Sequence, residues 1–156
     1  MKTYFFDTSA LVKRYVSEIG SDWVRTVTDP EEGNGIILAR ITWVEMISAY
    51  SRLKRESNID ETALNIALWA FEYDWETQYH IVEFDRTLAE LAGELVKNYP
   101  LRAYDSVQLA SALRIHRVHA QVAPGLFVFV SSDNRLLHVA KSENMSVENP
   151  LEHTTA

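Results

Sequence analysis

The segment Thr3-Tyr4-Phe5-Phe6-Asp7-Thr8-Ser9-Ala10-Leu11-Val12-Lys13 begins as a short apolar run and continues with a helical pattern. We expect a strand over Thr3–Phe6 and a helix over Ser9–Val16, with Asp7 at the junction. A carboxylate that ends a buried strand is unfavourable unless its charge is balanced. A similar junction recurs near the other end of the chain, where Asp133 closely follows the apolar run Phe127–Val130.

Short apolar runs alternate with helical patterns along the whole chain. We predict strands over Thr3–Phe6, Gly35–Ala39, His80–Phe84, Leu126–Val130 and Met145–Glu148. We predict helices over Ser9–Val16, Ser21–Val27, Thr42–Glu56, Asp60–Asp74, Asp85–Asn98, Arg102–His119 and Asp133–Ser142. This order is typical of an α/β fold with a parallel sheet and helices on its faces. Ligands of such sheets bind beyond the carboxyl ends of the strands, where the strand order reverses.

Composition places the chain among ordinary globular proteins. It has 156 residues, of which 47% are hydrophobic and 24% charged, and we expect one domain over residues 1–150 with a C-terminal tail over residues 151–156. The absence of cysteine excludes disulfides and thiolate metal sites and suits a cytoplasmic location. The first apolar run is too short for a signal peptide, and no stretch approaches the roughly 20 apolar residues of a membrane span. The net charge of −7 argues against broad non-specific binding of nucleic acid, but not against binding at one site.

Two further acidic residues join Asp7 and Asp133. Glu45 interrupts an apolar helical segment, and Asp105 begins another helical stretch. If the fold brings the four carboxylates together, their mutual repulsion is unfavourable unless a divalent cation lies among them. The four residues therefore outline a metal-dependent phosphoryl-transfer site.

Each of the three aspartates also has a simpler explanation, because all lie at or near predicted helix starts, where Asp commonly caps free backbone N–H groups. Asp85 follows a predicted strand in a similar way. If that strand lies at the sheet edge, Asp85 is roughly 10 Å from the first strand, and we assign it to capping alone. Glu45 lies inside a helix and is not a cap. The alternative for Glu45 is an edge position where it reaches water or pairs with Arg40 or Arg52.

Four motifs, in this order, resemble those of PIN-domain ribonucleases. They are Phe6-Asp7-Thr8-Ser9-Ala10-Leu11-Val12-Lys13, then Trp43-Val44-Glu45 with the helix to Tyr50, then Leu101-Arg102-Ala103-Tyr104-Asp105-Ser106-Val107-Gln108-Leu109-Ala110, and finally Val130-Ser131-Ser132-Asp133-Asn134-Arg135-Leu136-Leu137. They cover nearly the whole chain, and all four acids of the family pattern are present. The length and the opening motif are most similar to the VapC toxins of bacterial and archaeal toxin–antitoxin pairs.

The resemblance implies a three-layer α/β/α sandwich with a parallel sheet of about five strands in the order 3-2-1-4-5. It also implies an endoribonuclease that uses Mg²⁺, with Mn²⁺ tolerated, and leaves 5′-phosphate and 3′-hydroxyl ends. In this interpretation Asp7 and Asp105 are the direct metal ligands. Glu45 and Asp133 complete the catalytic set by holding metal-bound water, positioning the nucleophile or recruiting a second ion. The implied partners are RNA, a cognate VapB-like antitoxin and a second copy of the chain, with larger toxin–antitoxin assemblies possible.

Several other residues have two explanations each. Four cations flank the acidic motifs and either contact phosphates or are solvated helix residues, the latter favoured for all but Arg14: Lys13, Arg14, Arg102 and Arg135. Ser9 either orients Asp7 or simply belongs to the first helical turn. Trp69 and Tyr73 fall outside the apolar stripe of their helix, which predicts either a partner surface or packing against a neighbouring helix.

Three other functions compete with the toxin interpretation. A PIN-type nuclease of RNA maturation or decay would share the same site. A dehalogenase-like phosphatase needs Asp-x-Asp after its first strand, and Asp7-Thr8-Ser9 does not provide it. A non-catalytic PIN-like binding module is disfavoured by the complete set of acids.

Overall fold

Five parallel strands form one sheet in the order β3-β2-β1-β4-β5. In the computed structural model, which describes residues 1–154, the strands are β1 Thr3–Phe6, β2 Gly35–Ala39, β3 His80–Val82, β4 Phe127–Val130 and β5 Ser146–Glu148. The helices are α1 Thr8–Tyr15, α2 Ser21–Val27, α3 Ile41–Glu56, α4 Glu61–Thr77, α5 Arg86–Asn98, α6 Ala103–Val122 and α7 Asn134–Ser142. Two short 3₁₀ helices lie at Pro30–Glu32 and Pro150–Glu152. The predicted strand order is confirmed.

The centre of the sheet is β1, which pairs with β2 on one side and with β4 on the other. The register places Phe6 opposite Val130, and the backbone N–H of Asp7 extends this pairing by donating to the Val130 carbonyl at 3.1 Å. The strand order reverses between β1 and β4, so their carboxyl ends form the crevice in which such sheets bind ligands. Asp7 and Asp133 both lie at this crevice, as their positions in the sequence predicted.

Helices cover both faces of the sheet, which gives the predicted three layers. Phe5 faces a core built with α5, α6 and α7, whereas Tyr4 and Phe6 face a second core built with α1 to α4. This alternation follows from the two-residue period of side chains along a strand. No helix within residues 1–154 combines the length and the apolar composition needed to cross a membrane.

The segment after β5 packs back onto the domain. His153 stacks on Trp23 of α2 with ring centroids 4.3 Å apart, and its Nε2 lies 2.8 Å from the Glu148 carboxylate. These contacts fix the first residues of the predicted C-terminal tail against α2. The end of that tail, residues 155–156, lies outside the described residues.

Candidate active site

Asp7 is a buried carboxylate held by neutral donors. The hydroxyls of Ser9 and Ser131 donate to its two oxygens, each at 2.7 Å, and the backbone N–H of Ala10 donates at 3.1 Å. The last contact makes Asp7 the N-cap of α1, so one residue both caps a helix and belongs to the candidate site. Burial raises the pKa of Asp7 from 3.8 to about 6, although the three hydrogen bonds oppose this shift.

The loop after β4 is tied to the loop after β1. The Ser131 hydroxyl, which donates to Asp7, also accepts from the backbone N–H of Asp133 at 3.0 Å. The backbone N–H of Ser132 donates to the Ser9 hydroxyl at 3.0 Å. Two serines therefore fix the position of Asp133 relative to Asp7. The hydrogen bond from Ser9 to Asp7 is the contact expected if Ser9 orients this carboxylate.

Glu45 is half-buried on α3 and points at polar groups of two other helices. Its Oε1 accepts from the Gln108 amide at 2.7 Å and from the Thr8 hydroxyl at 3.1 Å. Neither predicted arginine partner is used: Arg40 pairs with Glu83, and no ion pair of Arg52 is found among residues 1–154. Burial raises the pKa of Glu45, with a further contribution from the charge of Asp105. The predicted pairing of Glu45 with Arg40 or Arg52 is therefore wrong, whereas its half-buried carboxylate remains partly exposed.

Gln108 is a site residue that the sequence did not single out. It is buried on α6, and its amide also donates to Thr42 at 2.9 Å and to Thr8 at 3.2 Å. It thereby links α1, α3 and α6 around Glu45. The available signal was a glutamine inside a helical stretch that is otherwise largely apolar, because a buried amide needs polar partners.

Asp105 lies in the first turn of α6 but does not cap it. The N-cap is Arg102, whose side chain makes no capping hydrogen bond. Burial and the charge of Asp133 raise the pKa of Asp105, and the nearby guanidinium groups of Arg102 and Arg135 reduce the shift. Asp105 is therefore not the N-cap residue of α6, although a hydrogen bond from the backbone N–H of Arg102 also lowers its pKa, and its carboxylate faces other charged groups.

Asp133 caps α7 through the backbone N–H of Arg135, which donates to Oδ1 at 2.9 Å. The Arg135 guanidinium donates to the other oxygen at 3.3 Å. Burial opposes ionisation of Asp133, but these contacts outweigh it and leave its pKa below the usual value. Among residues 1–154, Asp133 is thus the one of the four acids that forms an ion pair.

The four carboxylates influence one another in sequence around the crevice. The charge of Glu45 raises the pKa of Asp7, that of Asp105 raises the pKa of Glu45, and that of Asp133 raises the pKa of Asp105. The four acids are thus linked as three successive pairs: Asp7 with Glu45, Glu45 with Asp105, and Asp105 with Asp133. Because like charges at close range oppose ionisation, the arrangement favours binding of a cation.

The donor set fits a hard divalent cation that keeps part of its water shell. Within residues 1–154, no three Asp, Glu, His or Cys side chains are grouped as a ready-made metal cage. Mg²⁺ does not need one, because it is usually bound through one or two carboxylates and retains several waters. Three of the roughly four lone-pair sites of Asp7 accept hydrogen bonds, and no donor from the described residues occupies the fourth. Asp7 can therefore supply one ligand atom while its hydrogen bonds hold it in place.

Two of the flanking cations are structural. Lys13 is buried and paired with Glu18 at 2.9 Å, and Arg14 pairs with Asp74 at 3.1 Å while donating to the Thr28 carbonyl at 3.1 Å. The predictions that Lys13 is solvated and that Arg14 is the best phosphate contact are therefore wrong. The partner of Lys13 lies in the segment just after α1, whereas that of Arg14 is set by the packing of α1 on α4 and lies 60 residues along the chain.

Asp85 occupies the end of the edge strand region and has a different role. It caps α5 by accepting from the backbone N–H of Leu88 at 2.8 Å, as predicted. Both of its oxygens also accept from the Arg114 guanidinium, at 2.7 and 3.0 Å. These contacts lower its pKa to about 2. Asp85 is thus neutralised within the protein and lies outside the acidic cluster.

An apolar groove of about 650 Å³ borders the acids on the side of Glu45. It is lined mainly by aromatic and aliphatic side chains, among them Trp43, Val44, Trp75, Phe84 and Tyr104. Val44, Phe84 and Tyr104 are each more than half exposed. Val44 and Tyr104 directly neighbour Glu45 and Asp105 in the chain, so the groove lies close to both of these acids.

The sheet order and this acidic crevice are typical of a class of metal-dependent nucleases. Comparison with known proteins identifies the family within this class. Residues 4–142 match the PIN domain, and the chain belongs to the PIN-domain family. It is 32% identical over 133 residues to Ribonuclease VapC45 of Mycobacterium tuberculosis, a match that covers 83% of this chain and 84% of that protein. The predicted resemblance to VapC ribonucleases is confirmed. Nucleases of this family generally depend on a divalent metal ion.

Solved structures share the fold at low sequence identity. VapBC2 from Rickettsia felis, bound to a DNA fragment from its promoter, aligns with a TM-score of 0.60 and 16% identity, covering 94% of this chain and 98% of that one. A toxin–antitoxin complex from Klebsiella pneumoniae aligns with a TM-score of 0.58 and 18% identity, covering 94% and 97%. At these identities the similarity establishes the fold, and the three-layer sandwich is confirmed.

Proposed function

We propose that the protein is a divalent-metal-dependent endoribonuclease that acts as the toxin of a toxin–antitoxin pair in the cytoplasm. The observation that carries this proposal is the buried Asp7 carboxylate, held only by neutral donors and close to the charge of Glu45 at the reversal of strand order. The ribonuclease relative and the PIN-domain match support the activity. Mg²⁺ is the metal we infer, with Mn²⁺ as a substitute, because all the available ligands are carboxylate oxygens.

Each acid has a role in this proposal. Asp7 and Asp105 would hold the metal ion directly. Glu45 and Asp133 would hold its waters and position the water that attacks the phosphodiester. When bound, the metal neutralises charge on the attacked phosphate and lowers the pKa of a water molecule.

The supporting residues keep the acids ready for this chemistry. Ser9 and Ser131 hold both oxygens of Asp7, and Gln108 holds one oxygen of Glu45. Fixed orientation reduces the reorganisation needed when substrate binds. The raised pKa values of Asp7 and Glu45 mean that both carboxylates are more fully ionised when a cation is present.

We further infer that the partner is an antitoxin whose peptide binds in the groove beside the acids. Apolar side chains of such a peptide would cover Val44, Phe84 and Tyr104, and a basic side chain would face Glu45 and Asp105. The fold shared with the toxin–antitoxin complexes supports this partner. Co-expression of the protein with the small protein encoded beside it, followed by co-purification, tests the pairing. Loss of co-purification in Tyr104→Ser, with an unchanged melting temperature, is the expected result.

A homodimer is the assembly that we infer for the toxin itself. Trp69 and Tyr73 of α4 stack on each other at 5.9 Å and are 66% and 57% exposed. Ile66, one turn away on the same face, is also exposed. Light scattering of the purified protein and of a Trp69→Ser variant tests whether this surface joins two copies. A monomer in the unsubstituted protein contradicts the dimer.

The activity is tested with purified protein and total RNA in Mg²⁺ or Mn²⁺. Cleavage that yields 5′-phosphate ends is expected, together with its loss in EDTA, in Asp7→Asn and in Asp105→Asn. Asp85→Asn is the matched control and should cleave normally. Cleavage that persists in EDTA, or in both site variants, contradicts the proposal.

Expression of the chain alone separates a toxin from a nuclease of RNA maturation or decay. A toxin halts growth, and co-expression of the antitoxin restores it. Unimpaired growth together with RNA cleavage in vitro favours the maturation or decay function.

A further inference from the structure

The acidic crevice lacks an obvious means of holding RNA. Its four carboxylates repel phosphates, and the chain as a whole carries a net charge of −7. Among residues 1–154, eight of the 15 lysines and arginines pair with acids other than the four of the crevice, as Lys13 does with Glu18 and Arg14 with Asp74. Binding of RNA therefore depends on which cations remain available at the crevice itself.

Two guanidinium groups, those of Arg102 and Arg135, lie at one end of the crevice. Together with Asp105 and Asp133 they line a small cavity of about 20 Å³ between the start of α6 and the start of α7. Arg102 is exposed at the N-cap of α6, and no ion pair of its side chain is found within residues 1–154. The charges of both arginines reach Asp105, whose pKa they reduce.

The contact with Asp133 orients Arg135 but occupies only part of its guanidinium group. Its backbone N–H donates to Oδ1 of Asp133, which fixes the backbone of Arg135 at the start of α7. Its guanidinium donates to Oδ2 at 3.3 Å. A guanidinium carries five N–H donors, and the Arg135 side chain is 74% exposed. Most of the donors of Arg135 therefore remain available to a phosphate.

The two ends of the crevice differ in chemistry. The apolar groove is lined by residues of α3 and of the start of α6, whereas the cavity between α6 and α7 is lined by the two arginines together with Asp105 and Asp133. A planar guanidinium binds phosphate oxygens through two parallel hydrogen bonds, and two of them side by side suit one or two successive phosphates. The attacked phosphate would lie among the acids, and the basic end would receive its neighbour along the strand.

We propose that Arg102 and Arg135 form a phosphate-binding pair that holds the RNA phosphate next to the attacked one. This inference rests on the proposed ribonuclease function and adds the direction in which the strand leaves the site. The pair compensates locally for the net negative charge of the chain.

The test measures binding of a fluorescein-labelled single-stranded RNA oligonucleotide by anisotropy at several KCl concentrations. An Asp7→Asn background prevents cleavage. Arg102→Ala and Arg135→Ala should each weaken binding about tenfold. Each substitution should also reduce the magnitude of the slope of log affinity against log salt by about 0.7, and the double variant by about 1.4. The reason is that binding releases fewer counterions from the RNA when one phosphate contact is lost. Arg102→Lys should restore the slope but only part of the affinity.

Arg117→Ala is the matched control. Arg117 is an exposed arginine on the same helix, 15 residues further along and therefore roughly 22 Å from Arg102. It should change neither affinity nor slope, and thermal melting of every variant shows that the fold is kept. An equal loss of affinity and of salt slope in Arg117→Ala would contradict the proposed phosphate-binding pair, because it would indicate a general effect of net charge.

Cleavage of RNA by the unsubstituted protein is measured alongside. If it cleaves RNA and the salt slopes of the Arg102 and Arg135 variants are unchanged, the phosphate-binding pair is wrong and the proposed function stands. If it does not cleave RNA under any metal condition, the proposed function fails and the pair fails with it.

Discussion

Asp7 and Asp85 occupy similar local positions in two regions of one sheet, yet their environments differ. Each follows a strand region and caps the helix that comes next, Asp7 for α1 and Asp85 for α5. Asp7 lies at the central strand, is 5% exposed and accepts hydrogen bonds only from neutral groups. Asp85 lies beyond the edge strand, is exposed and is held by both arms of the Arg114 guanidinium.

The difference shows that a helix cap and a catalytic carboxylate are distinguished by what surrounds the carboxylate. The pKa of Asp7 rises to about 6 because burial is not offset by a cation, and the pKa of Asp85 falls to about 2 because Arg114 provides one. A buried carboxylate without a counter-charge destabilises the folded protein. Such a residue is retained where a bound cation supplies the missing charge.

The largest effect expected from this comparison is on stability, with opposite signs at the two sites. In EDTA at pH 7.5, Asp7→Asn removes the burial of a charge. The shift from 3.8 to about 6 sets an upper limit of about 3 kcal/mol on the gain in unfolding free energy. Weaker hydrogen bonds to the amide reduce the net gain, and we expect a rise of several degrees in the melting temperature. Asp85→Asn loses its pair with Arg114 and should melt lower. Calorimetry that shows a lower melting temperature for Asp7→Asn contradicts the assignment.

The gain from Asp7→Asn should depend on pH. Below about pH 3.8 the carboxyl is protonated in both folded and unfolded chains, so burial of Asp7 has no electrostatic penalty. As the pH rises toward about 6, the unfolded chain ionises first and the unsubstituted protein loses stability relative to the variant. Above about pH 6 the difference becomes constant. Melting temperatures of both proteins in EDTA from pH 4 to pH 8 should diverge over this interval, and parallel curves would contradict the raised pKa.

The next effect is on activity and concerns the residue that holds Glu45. Gln108→Leu removes the donor at 2.7 Å from Glu45, and loss of such a supporting contact lowers activity about 10- to 100-fold at metal sites. Gln78→Leu is the matched control. The Gln78 amide donates to the Thr28 carbonyl at 2.7 Å, the same length as the contact of Gln108 with Glu45, but it contacts no acid of the site. It should affect the melting temperature alone. RNA cleavage measured as kcat/KM distinguishes the two, and equal activities in both variants would remove Gln108 from the site.

The smallest effect is expected at the edge strand. Arg114→Ala deprives Asp85 of its counter-charge, but the pair is exposed and contributes little to stability. We expect a small decrease in melting temperature and unchanged RNA cleavage. A large loss of cleavage would place this edge of the sheet in the active site and break the distinction between the two aspartates.

Much of the fold was predictable because strand and helix signals agree along the chain. The bounds of β1 and β2 were predicted correctly from these signals, and the order of the five strands was the one that the resemblance to PIN-domain ribonucleases implied. The edge strand β3 ends at Val82 rather than Phe84, because its ladder with β2 ends at the pair Ala39 and Val82. Local patterns do not reveal where a neighbouring strand stops. Helix α6 extends to Val122, three residues beyond its predicted end.

The site was predictable in its acids but not in its supporting contacts. Four acidic motifs in order were visible, whereas the contact of Gln108 with Glu45 joins residues 63 positions apart. Ser131 was likewise missed, since a serine after a strand has many ordinary roles. Arg14 was misassigned because Asp74 reaches it only when α1 and α4 pack. Side-chain partners across helices depend on tertiary packing, which a single sequence does not specify.

Binding of Mn²⁺ measured by calorimetry at pH 7.5 tests most directly whether the carboxylate at the central strand is reserved for a cation. The unsubstituted protein and Asp85→Asn should bind Mn²⁺ with the same affinity, and Asp7→Asn should bind at least about tenfold more weakly. Equal affinity in Asp7→Asn, or a loss confined to Asp85→Asn, would contradict the metal site at Asp7.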